Sequence, residues 1–159
     1  MKPKKTSSRI APRLALSGLA GYEGLAAWNR FEDRKMMFEM ARARATQTGR
    51  PLVVVGDPDG GAHTRLLRAY PCGDITIDIN GAPSCPVSIT ADITRPTSVA
   101  ANSAVVFVSC VFEYVEDAQA AYDECLRMAG SRENLFVVRV QPLTFTTYFY
   151  PGAKWSIYW

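Results

Sequence analysis

The residues able to do chemistry sit at the ends of apolar runs. Gly56-Asp-Pro-Asp-Gly-Gly61 follows Leu52-Val-Val-Val55, Asp78 follows Ile75-Thr-Ile77, and Asp92 closes a short run after Val87. In an open parallel sheet, ligands bind beyond the carboxyl ends of the strands where the strand order reverses, because loop amides and helix N-termini converge there. An acid at Asp78 is placed to accept hydrogen bonds from vicinal ribose hydroxyls, as carboxylates do in dinucleotide sites. Each residue also has a purely structural reading. Asp59 can cap a following helix, Asp78 can shape a turn at Asn80-Gly81, and Asp92 can form an Asx-turn before Thr94-Arg95-Pro96. The single histidine, His63, and four scattered cysteines give no metal-ligand spacing and predict reduced, partly buried thiols.

The elements that must position these loops read as alternating strands and helices. Strands are expected over Pro51–Gly56, Asp74–Asn80, Val87–Ala91, Ala104–Cys110 and Leu135–Gln141, and helices over Tyr22–Thr48, Gly61–Ala69 and Glu116–Ala129. Valine-rich strands alternating with helices argue for a parallel, doubly wound sheet. In the first helix Trp28, Phe31, Phe38, Ala41 and Ala45 fall near one face, expected to pack on the sheet, and Gly49 ends it. Thr144–Tyr150 and Lys154–Trp159, joined by Pro151-Gly-Ala, read as an antiparallel hairpin. The expectation is a basic irregular arm over residues 1–21 and one domain over 22–159.

Together, Leu52–Gly61, Asp74–Asn80, Ala104-Val-Val-Phe-Val-Ser-Cys-Val-Phe-Glu-Tyr-Val-Glu-Asp117 and Ala121–Arg127 resemble the class I S-adenosylmethionine (SAM)-dependent methyltransferases over somewhat more than half the chain. The resemblance implies a minimal Rossmann-like domain with an antiparallel edge. It implies that Gly56, Asp57, Gly60, Asp78 and Asp92 hold SAM, with Asp92 reading the adenine amino group. Ser109, Cys110 and Tyr114 would then lie beside the methyl acceptor. Methyl transfer by direct displacement needs alignment more than an acid or base, so no catalytic triad is required. Glu124 and Arg127 match a structural pair of that family. The chain departs from the pattern at Val54, where an acid is usual, and at Pro58, which takes the middle glycine position. Only Gly81 to Pro86 separates the second and third strands, too few for a helical crossover, and Pro142-Leu143 leads straight into the hairpin without a lid. These departures imply the alternative: a catalytically inactive binding or structural subunit of a larger assembly.

With 48% hydrophobic and 21% charged residues the composition is that of an ordinary globular domain, and no run of about 18 apolar residues is present to span a bilayer. The expected location is intracellular, in the cytoplasm. Residues 1–50 hold eleven Lys or Arg against four acids, and residues 51–159 seven against eleven. That asymmetry suits either a polyanion-binding arm or a solvated tail. The hairpin concentrates seven aromatics, which alternation must divide between two faces, so part of it is expected to join protomers or dock a protein partner.

Overall fold

In the computed structural model the described residues are 10–60, 68–139 and 152–154. Their elements are α1 (Ile10–Thr48), β1 (Leu52–Val55), β2 (Ile75–Asp78), β3 (Ser88–Thr90), β4 (Val105–Ser109), α2 (Ala118–Ala129), a 3₁₀ turn (Arg132–Asn134) and β5 (Leu135–Val138). The five strands form one parallel sheet in the order β3-β2-β1-β4-β5. The α/β class and the parallel sheet follow the sequence pattern. The antiparallel hairpin expected at the C-terminus lies outside the described residues, apart from Gly152–Lys154, and every described strand is parallel.

Both faces of the sheet are covered, which is why its central strands are apolar at every position. Leu52, Val54, Val105 and Phe107 face α1, while Val53, Val55, Val106 and Val108 face α2. The α1 side is filled by Phe38, Ala41, Ala45 and Tyr70, with Phe38 and Tyr70 ring edges meeting Phe107 at 5.5 and 4.9 Å between centroids. Ala41 and Ala45 bring the helix backbone close to the sheet. On the other side α2 buries Ala121, Cys125, Met128 and Ala129. Asp117 starts that helix by accepting from the Ala120 amide at 2.9 Å, and Gly130, at φ 73°, closes it by donating to Leu126.

Four expectations change. The helix begins at Ile10 rather than Tyr22, so residues 10–21 are helical where an irregular arm was expected, with Pro12 inside the first turn where its missing amide costs nothing. Thirty-nine residues make a helix about 58 Å long, far longer than four-residue strands, and the stretch from Phe31 to Ala45 packs on the sheet. Trp28 is therefore 56% exposed rather than packed on it. The expected helix over Gly61–Ala69 falls mostly outside the described residues, and Arg68 and Ala69 are not helical. Cys72 and Cys85 form a disulfide, Cα to Cα 5.5 Å, instead of remaining reduced. The bridge joins the segment before β2 to the link after it, a pairing that spacing alone does not signal.

Residues 79–87, between β2 and β3, hold no helix. The chain instead turns twice, Gly81 donating to Asp78 and Cys85 to Ala82, while Ser88 Oγ accepts from the Ala82 amide at 2.8 Å.

Candidate functional site

The order β3-β2-β1-β4-β5 reverses between β1 and β4, so the crevice beyond their carboxyl ends is where loops can separate and receive a ligand. Gly56 leaves β1 with φ 100°, and a Cβ built on it would lie 3.0 Å from Val111 Cγ2 in the loop after β4. The two loops flanking the reversal thus touch, and only glycine allows that approach in this conformation. From β2, Asp78 Oδ2 accepts the Asp57 amide at 3.0 Å, and its Oδ1 accepts the Asn80 amide at 2.8 Å. Each carboxylate oxygen spends one of its acceptor positions, leaving the others for a diol. Asp78 also ties β3 in, its carbonyl accepting the Ala91 amide. Asp92 follows directly. Its carboxyl is held below the usual range, first by the Thr94 amide and then by the Thr94 hydroxyl at 2.7 Å, the geometry of an Asx-turn.

Gly56, Asp57, Asp78 and Asp92 therefore do come together along the ends of β1, β2 and β3. Gly60 closes a turn on the Asp57 carbonyl at 2.9 Å, and Asp57 Oδ1 accepts the Asp59 amide. Pro58 is buried inside this turn, and Asp59 is paired with Arg68 at 3.2 Å. The Asp57 amide, the donor best placed to meet a ligand, is already engaged by Asp78.

The β4 residues are arranged differently. Ser109 is buried on the α1 side of the sheet and hydrogen-bonds Tyr70. Burial pushes the Tyr70 phenol up to about 12, the Ser109 contact opposing it. Cys110 adopts φ 54°, a left-handed conformation unusual outside glycine, and its thiol sits 2.9 Å from the Arg34 guanidinium of α1. Burial raises the Cys110 pKa more than Arg34 lowers it, so the group is a neutral thiol at neutral pH rather than a poised nucleophile. Tyr114, in the turn that Val111 closes, is 38% exposed at the rim.

Arg34 and Tyr70 escaped sequence reading. Arg34 lies on the stripe Phe31, Arg34, Phe38, Ala41, Ala45, a cation in the middle of an apolar face, and that interruption was the available signal. A second recess of about 640 Å³, lined by Phe112, Asp117, Tyr122, Val137 and Arg139, opens beside the start of α2. It shares none of the residues above. No family model, curated protein or solved structure matches the chain.

Proposed function

We propose that the crevice beyond β1, β2 and β4 binds a nucleoside-containing ligand, with SAM the one its residues resemble a site for and methyl transfer the reaction class. The observation that carries this reading is Asp78, a carboxylate braced by the Asp57 and Asn80 amides at the end of β2, with acceptor positions to spare. Asp78 would hold the ribose hydroxyls, Asp92 the adenine edge, and Gly56, Asp57 and Gly60 the remainder of the cofactor. When bound, SAM supplies an electrophilic methyl group on its sulfonium. The chain's own contribution is position: Cys110, a neutral thiol, and Tyr114 stand at the lip, and Ser109 is fixed beneath Tyr70.

Calorimetric titration with SAM and with its demethylated product tests the site. Asp78→Asn can accept from only one of the Asp57 and Asn80 amides and loses the charge offered to the ligand, a charge-assisted hydrogen bond worth about 1.5–3 kcal/mol, so binding falls at least roughly 10-fold. No heat at millimolar concentrations of either ligand overturns the reading.

A second reading, binding without turnover inside an assembly, is favoured by the outward side of α1, where Tyr22, Leu25, Met36 and Met40 are each about half exposed. The aromatic segment over residues 144–159 as a protomer or partner contact, and the basic N-terminal segment over residues 1–21 as a polyanion contact, are proposals of the same kind. No helix among the described residues is long and apolar enough to cross a membrane. The cytoplasmic location loses its cysteine argument to the Cys72–Cys85 bridge, which suits an oxidising compartment.

A further inference from the structure

We propose that Arg34, with Arg30 one turn before it, forms an oxyanion-binding site beneath α1, built to receive a carboxylate or phosphate group of a ligand entering the β1/β4 crevice. The proposal stands whether or not a nucleoside binds beside it.

Among the described residues Arg34 is in no ion pair. Its Nη2 donates to the Cys110 sulfur, a neutral thiol and a weak acceptor, and its Nε is buried with no hydrogen-bond partner among the described residues. A guanidinium has five N–H donors, so most of this one's capacity is unspent. All fifteen Asp and Glu of the chain lie within the described residues, and none forms an ion pair with Arg34. Arg34 as a whole is half-buried, but a buried N–H donor left unsatisfied costs free energy that an acceptor from a ligand would recover.

The surroundings name the ligand class. Arg30 lies on the same side of α1, where Arg34 works against its charge and Glu23, two turns earlier, supports it. Like charges one turn apart repel, and an anion between them would relieve that repulsion. Tyr70 adds a buried hydroxyl beside the guanidinium, and Cys110 turns toward α1 through its left-handed backbone. A planar fork at the carboxyl ends of two central strands suits bidentate recognition of a carboxylate or phosphate.

The chain supplies its own reporter. Of four cysteines, Cys72 and Cys85 are bonded and Cys125 is fully buried, leaving Cys110, half-buried against Arg34, as the accessible thiol. N-ethylmaleimide labelling of the full chain, followed by mass spectrometry, is measured against inorganic phosphate and against acetate at constant ionic strength. An anion on Arg34 covers the thiol and removes the positive charge that favours the thiolate, so labelling slows at least threefold and saturably. Slowing by phosphate assigns a phosphorylated ligand, and slowing by acetate a carboxylate. In Arg34→Met the dependence disappears while the melting temperature holds or rises, the opposite of what a merely structural arginine would give. Arg34→Lys keeps the charge without the fork and retains the effect at roughly tenfold weaker affinity, which serves if the Met variant does not fold. Labelling indifferent to both anions in the wild type, or equally slowed in Arg34→Met, overturns the proposal.

Discussion

Replacing Glu124 tests what holds the loop before β4 to α2. Glu124 is 6% exposed, yet its two oxygens accept from the Thr97 amide at 2.7 Å, the Thr97 hydroxyl at 2.8 Å and Arg127 at 2.6 and 2.7 Å. Arg127 then donates to the Val99 carbonyl at 2.7 Å, so one carboxylate fixes both the loop and the arginine that clamps it. Glu124→Ala strands the Thr97 amide, at about 1–3 kcal/mol for a buried unsatisfied donor, and leaves Arg127 unpaired. Breaking a fully buried pair costs about 3–5 kcal/mol, but the Arg127 side chain is 34% exposed and water recovers part of that. The net expectation is about 3 kcal/mol, a fall in melting temperature of roughly 6–12 °C for a chain of this size. Glu124→Gln keeps an acceptor for Thr97 and should lose about half as much. Burial alone would raise the Glu124 pKa, but the Arg127 and Thr97 hydrogen bonds outweigh it and hold the group below its ordinary value. Its contribution is therefore fully present above the unfolded carboxylate range and fades as pH falls through that range toward the lower folded value. Urea titrations of wild type and Glu124→Gln at neutral and acid pH measure this. A Glu124→Ala loss under 1 kcal/mol, or a wild-type to Gln difference that does not shrink on acidification, refutes the network.

Two further perturbations address the loops. Gly56→Ala forces a side chain into φ 100° against Val111, costing about 1–3 kcal/mol, and should weaken nucleoside binding by moving the β1 and β4 loops apart. Unchanged melting and binding would show that the approach is not required. The Cys72–Cys85 bridge closes a loop of 13 residues, worth about 3 kcal/mol by chain entropy. Reductant should lower the melting temperature accordingly, and thiol titration of the denatured, unreduced chain should count two thiols rather than four.

The parallel sheet was legible because its signal is local. Leu52–Val55 and Val105–Ser109 are apolar at every position, as strands covered on both faces must be, and the stop at Gly49 and the limits of α2 follow from glycine conformation and an Asp117 cap. The start of α1 was not legible. Residues 10–21 mix glycine, serine and proline, a composition that reads as irregular chain. The disulfide failed for the same reason: Cys72 and Cys85 meet only because β2 and β3 fold back in parallel across a short non-helical link.

The candidate site divides along the same line. Asp78 ends β2 and Asp92 lies two residues beyond β3, and parallel pairing brings such residues to one edge whatever the loops do. What those carboxylates are free to bind depends on hydrogen bonds that no spacing encodes. Asp78 spends acceptors on Asp57 and Asn80, and Asp92 on Thr94, so a turn residue and a binding residue occupy one position at once. Arg34 reaches the crevice from a helix that precedes the whole sheet, 76 residues before the cysteine it touches. Reading motifs strand by strand therefore finds the acids and misses the cation. The acids of that edge are matched with amides, turns and Arg68, whereas the cation is matched with a thiol. A ligand suited to both halves would present hydroxyls toward β2 and a negative group toward α1.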